Sequence, residues 1–214
     1  MDKNLSFVNE KRIEKTIKAL QENNINAYLV KDRDDLLAKI EEIVVPGSKV
    51  GLGGSQTLAE NDIVEYLRTN ERYNLIDRYA EGLTGEQMKE LHRQCFYADA
   101  YLTGTNAVTE DGELFNVDGL GNRVAAMMFG PDKVVVVVGV NKIVADVYEA
   151  SQRMMAISAP ANTKRLNTKT PCVVTGVCQD CSSPDRICRE YTLIKRQGDK
   201  DRMHVIFLND SFGY

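Results

Sequence analysis

Residues 133–138 read KVVVVV. Successive side chains of a strand point to opposite faces of a sheet, so five consecutive valines leave no face for water. Such a strand belongs in the middle of a sheet covered on both sides. The usual way to cover both sides is a mainly parallel sheet with crossover helices, and this predicts an α/β fold.

The rest of the chain alternates accordingly. A helix is expected from Ser6 to Asn23, with Ile13, Ile17 and Leu20 on one face. Ala27 to Val30 reads as a strand. Asp32 then caps a helix whose stripe is Leu36, Ile40, Ile43 and Val44, stopped by Pro46 and Gly47. Lys49 to Leu52 is a short strand entering Gly53-Gly54-Ser55, and Thr57 with Glu60 forms a capping box for a helix through Leu67. After a strand at Asn74 to Ile76, Thr84 and Gln87 form a second capping box, for a helix burying Met88, Leu91 and Cys95; Cys95 is therefore a core residue. A short apolar helix at Arg123 to Phe129 precedes the valine strand, and one carrying Ile143, Val147, Ala150 and Met154 follows it. Beyond Ile157 the alternation ends, with strand-like runs only at Tyr191 to Ile194 and Val205 to Leu208.

With 214 residues, 43% hydrophobic and 27% charged, the chain has the balance of one soluble α/β domain, residues 1–214, with a cysteine segment at about 160–214. The N-terminal residues lack the apolar core of a signal peptide, and no apolar run is long enough to span a bilayer, so a cytoplasmic location is expected. A net charge of −4 argues against general nucleic-acid binding, although basic residues are in surplus between Pro160 and Arg202.

Four of the five cysteines, Cys172, Cys178, Cys181 and Cys188, fall within seventeen residues as C-x5-C-x2-C-x6-C. Cytoplasmic thiols stay reduced, which leaves three readings open: a metal centre, either zinc or a 4Fe–4S cluster; a redox pair of Cys178 with Cys181; or inert cysteines. Two polar segments are further candidates. The turn Gly51-Leu52-Gly53-Gly54-Ser55-Gln56-Thr57 offers backbone amides to an anion at a helix start. It is not a G-x-G-x-x-G fingerprint, so neither NAD nor flavin is expected. In the segment from Thr103 to Arg123, Asp111-Gly112 makes a hairpin turn, but a hairpin does not require Asn106, Asn116, Asp118, Asn122 and Arg123 around it. That density of polar groups at a strand end suits a binding pocket.

The runs GLGGSQTLAE, TGTNAVTEDGELFNVDGLGNRVAAMMFGPDKVVVVVGVNKIV, PANTKRLNTKTPC and TGVCQDCSSPDRIC together resemble the lactate utilization (LUD) domain family over nearly the whole chain. The resemblance implies a fold similar to the phosphosugar isomerases and CoA transferases, and an association with L-lactate oxidation to pyruvate. It also implies that the glycine turn and the Asn106 to Arg123 segment line one cleft, with Asn141 and Lys142 completing its rim. In such systems iron–sulfur work is associated with oxidoreductase partner subunits carrying ferredoxin-like cysteine runs, C-x2-C-x2-C-x3-C-P, which this chain lacks.

On this reading the cleft takes a small anionic metabolite. Arg123 and Lys142 pair with it, Asn106, Asn116 and Asn122 orient it, and Asp111, Glu113 and Asp118 are the candidate acids and bases. The alternatives are an isomerase or acyl-CoA transferase, with Glu113 as nucleophile, and a non-catalytic metabolite or redox sensor.

Overall fold

The computed structural model describes residues 2–214. In chain order the elements are α1 (Lys3–Glu22), β1 (Asn26–Val30), α2 (Arg33–Ile43), β2 (Lys49–Leu52), α3 (Gln56–Glu60), α4 (Ile63–Thr69) and β3 (Asn74–Leu75). There follow α5 (Gly85–Gln94), β4 (Ala100–Thr103), β5 (Ala107–Thr109), β6 (Leu114–Asp118), α6 (Asn122–Met128) and β7 (Lys133–Gly139). The chain continues with β8 (Ile143–Val144), α7 (Val147–Arg153), α8 (Ala159–Arg165), α9 (Pro171–Thr175), β9 (Glu190–Ile194) and β10 (Met203–Leu208).

Six strands form one sheet in the order β1-β10-β7-β4-β2-β3, and every neighbouring pair is parallel. The valine strand, β7, is central, and Val134 to Val138 are all fully buried. Its two faces feed separate clusters. Val134, Val136 and Val138 pack with Ile13 and Leu20 of α1, while Val135 and Val137 pack with Leu36 and Ile40 of α2 and Leu58 of α3. The α/β fold with a mainly parallel sheet covered by helices on both faces is therefore the observed one. No helix among the described residues is long and apolar enough to cross a membrane.

A second, four-stranded sheet in the order β8-β5-β6-β9 stands beside the first. Its centre is the hairpin expected at Asp111-Gly112, where Gly112 takes φ +77° and packs against the backbone of Ala19 and Leu20. The α5 capping box is also present, with Thr84 and Gln87 bonding each other's backbone.

Other local details differ from expectation. Ser55, not Thr57, caps α3, because Ser55 holds the extended backbone and its hydroxyl accepts from the Leu58 amide; Thr57 is helical and buried. Ile143 lies in β8 rather than on a helix, since Val144 pairs with Thr109. Helical structure also runs past Ile157 through a π-helical turn at Met154–Ser158 into α8.

Candidate functional site

Parallel strands put all their C-terminal ends at one edge of the sheet, where α/β proteins bind ligands. Here that edge collects Gly54 to Gln56 after β2, Arg78 after β3, Gly104 to Asn106 after β4 and Lys142 after β7, and these residues line a cavity of about 270 Å³. Asp118, Asn122 and Arg123 at the junction of β6 and α6 form a second wall, and Arg165 and Tyr214 lie on the rim.

Arg123 organises that wall. Its Nε donates to Asp118 Oδ1 (2.9 Å), Nη1 to the Gly104 carbonyl (3.0 Å) and Asn116 Oδ1 (2.5 Å), and Nη2 to Asn106 Oδ1 (2.9 Å) and the Val117 carbonyl (3.3 Å). Every N–H of the guanidinium thus has a partner within the protein. Asp118 is equally engaged, since its Oδ2 accepts from the Arg123 and Val124 amides at the start of α6. Both residues border the cleft, yet their bonding capacity goes into holding it. The expectation that Arg123 pairs with the anion needs revising on that ground.

Lys142 is different. It is 3% exposed, and its Nζ donates to Thr57 Oγ1 at 2.8 Å, while no carboxylate pairs with it among the described residues. Burial holds its ammonium pKa down to about 7; neighbouring Arg153 and Arg123 act in the same direction and Glu60 opposes them. Arg153 braces this corner by donating to the carbonyls of Asn141 (3.0 Å) and Asn106 (2.8 Å). The Asn141 side chain bonds the Phe212 amide and the Gly213 carbonyl and so fastens the tail beside the cleft; it does not point at a ligand.

Arg78, unmarked in the sequence reading, supplies the most available charge. Its guanidinium stands 5.5 Å from the Tyr79 ring centroid, its Nε is buried without a hydrogen-bond partner, and it makes no ion pair among the described residues. The signal for it was positional: it follows a parallel strand at the edge where β2, β4 and β7 also end. Arg165 adds a further cation, oriented by Asn162 Oδ1 (2.8 Å).

The remaining candidates lie elsewhere. Gly51 and Gly53 do not line the cavity. They are needed for packing, since a Cβ at Gly51 would fall 2.9 Å from Cys95 Sγ and one at Gly53 would fall 2.9 Å from Thr103 Cβ. Asn116 is fully buried beneath Arg123. Asp111 is at the exposed hairpin tip, where its carbonyl accepts from Asn23, and Glu113 is ion-paired to Lys195 at 3.0 Å on the other side of that hairpin. Neither reaches the cleft, so Glu113 is not placed to be an acyl nucleophile. Asp118 is the only carboxylate side chain in the cleft lining among the described residues.

The four cysteines of the C-terminal segment do not gather at one point among the described residues. Cys172 is buried, with Sγ 3.2 Å from Thr163 Oγ1 and 3.4 Å from Thr170 Oγ1. Cys188 is buried just before β9 among Phe115 and Val117, and burial raises its thiol pKa against the pull of Arg186, with Cys178 near enough to add to the rise. Cys178 and Cys181 are half-buried between them. Among the described residues no three Cys, His, Asp or Glu side chains are grouped to hold a metal ion, so the four thiols do not fit a zinc or 4Fe–4S centre as they stand.

Fold and site together define an α/β protein with a cationic cleft at the carboxyl ends of parallel strands. The sequence profile of the LUD domain matches residues 13–208, and the chain belongs to that family. Among solved structures it is similar to a DUF162 family protein from Deinococcus radiodurans (16% identity over 84% of this chain and 99% of that one, TM-score 0.34). It is also similar to eIF2B beta (15%, 55% and 44%, TM-score 0.36) and eIF2B delta (14%, 66% and 54%, TM-score 0.35) from Chaetomium thermophilum. No curated protein matches the chain.

Proposed function

We propose that this LUD-domain protein binds a small organic-acid anion in the cleft and serves in L-lactate or related organic-acid utilization, in the cytoplasm and alongside oxidoreductase partner subunits. Membership of the LUD family supports the metabolic context at family level. The anion assignment is carried by one observation. Three guanidinium groups, those of Arg78, Arg123 and Arg165, and the Lys142 amine line a cavity whose single carboxylate side chain, Asp118, is already bound to Arg123, and Arg78 keeps a buried donor unpartnered. Burying an unpartnered cationic donor is unfavourable, and a carboxylate entering the cleft removes that penalty.

The cavity volume suits an acid of a few carbon atoms more than a nucleotide or a coenzyme A thioester. Calorimetric titration of the full chain with pyruvate and L-lactate tests the reading. Binding is expected for at least one, and Arg78→Gln should weaken it roughly tenfold, the loss of one charge-assisted hydrogen bond. No binding of either acid, or equal affinity in the variant, rules out the assignment.

A further inference from the structure

We propose that Lys142 captures carbonyl compounds covalently, its amine condensing with the keto carbon of a small 2-oxo acid held in the cleft to give an imine. This rests on the anion-binding reading above and adds a reaction to it.

The geometry carries the inference. A lysine that only props a fold commonly has a carboxylate or several carbonyls around its ammonium, because a buried charge needs them. Lys142 lines the cavity, is almost wholly buried, and has one hydrogen-bond partner, the hydroxyl of Thr57. That hydroxyl gives its own proton to the Phe212 carbonyl at 3.3 Å. Thr57 can therefore only accept from Lys142, which leaves the lone pair of the neutral amine unoccupied and able to attack.

The surroundings favour the neutral form as well. Arg123 and Arg153 stand near the amine, and desolvation beside other cations is how a lysine becomes nucleophilic at neutral pH. The tail shields it from solvent. Gly213 has φ +58°, and a Cβ there would fall 3.3 Å from Nζ and 2.7 Å from Thr57 Oγ1, so only glycine lets the backbone pass this close.

The step balances without a redox partner. The Nζ lone pair forms a bond to C2 of the 2-oxo acid, and the carbonyl π pair moves to oxygen, which takes up a proton as nitrogen loses one, giving a carbinolamine. Expulsion of that oxygen as water and loss of the remaining N–H proton leave the C=N bond. Arg78 is the group available to hold the acid's carboxylate meanwhile.

The test is to incubate the full chain with pyruvate and sodium cyanoborohydride, measure the intact mass and map the modified peptide, with pyruvate calorimetry run in parallel. One reduced pyruvyl adduct per chain is expected, on Lys142, absent in Lys142→Arg and suppressed by excess L-lactate, which has no keto group. Pyruvate binding without an adduct, or adducts scattered over exposed lysines such as Lys18, would overturn the inference and leave the anion reading standing. Absence of both binding and adduct would remove the two together.

Discussion

The two walls of the cleft carry the same kind of charge and use it in opposite ways. On the β6–α6 wall, Arg123 and Asp118 are bonded to each other, to two asparagines and to the backbone, so both charged groups are complete before any ligand arrives, and only the Asn116 Nδ2 beneath them lacks a partner there among the described residues. On the wall made by Arg78 and Lys142, one guanidinium has a buried donor without a partner and one amine has a single hydroxyl. A fully satisfied network fixes geometry, whereas incomplete satisfaction stores binding free energy for a ligand to release. Dense polarity in a sequence therefore marks the scaffold of a site as readily as its working groups.

Substitution at Arg123 makes the largest expected break in that contrast. Arg123→Met leaves Asp118 buried without its cation and should cost roughly 3–5 kcal/mol of stability, read from the urea midpoint. Arg78→Met on the opposite wall should shift stability by no more than about 0.5 kcal/mol. Equal losses at the two positions would show that the walls are not divided in this way.

Next comes the glycine turn that joins the walls. Gly53→Ala should destabilise by about 1–3 kcal/mol through its clash with Thr103. Gly54→Ala, whose Cβ would meet only the Arg78 guanidinium at 3.5 Å, should leave stability nearly unchanged. A tolerated Gly53→Ala would mean that the turn is held less tightly than its contacts indicate.

The third effect is a slope with pH rather than a fixed offset. Lys142 has its pKa held down to about 7 in the folded protein, against the ordinary lysine value of 10.5. Between those values the unfolded chain keeps the proton and the folded one does not, so stability rises with pH. The wild type should thus gain on Lys142→Met from about pH 7 to pH 10, with a constant difference below that range. Parallel urea midpoints across the range would show that Lys142 titrates normally.

Legibility in the sequence followed locality. The valine strand, the Thr84 capping box and the Asp111-Gly112 hairpin are written in a few adjacent residues, and each was readable. The second sheet was not, because β9 joins β6 through a long-range pairing of Tyr191 with Val117 that no local pattern encodes. The cap of α3 fell on Ser55 because Ser55 and Thr57 are both good cap residues, and only the backbone at the glycine turn separates them. The region of the cleft could be read from its polar density. The division of labour within it could not, since whether an arginine is fully bonded depends on backbone carbonyls such as those of Gly104 and Val117 as well as on side chains. Arg78 stood alone after a two-residue strand and offered no motif at all.

The position of β10 has a consequence for how the chain reaches this state. It lies between β1 and β7, bonding Tyr28 to His204 across 176 residues, so β1 has no strand neighbour until β10 is available. During synthesis β1 and the valine strand must wait with open, apolar edges, and the main sheet closes only once β10 has been made. Folding is then gated by a late, long-range event, and the interval before it is when the chain is most exposed to self-association.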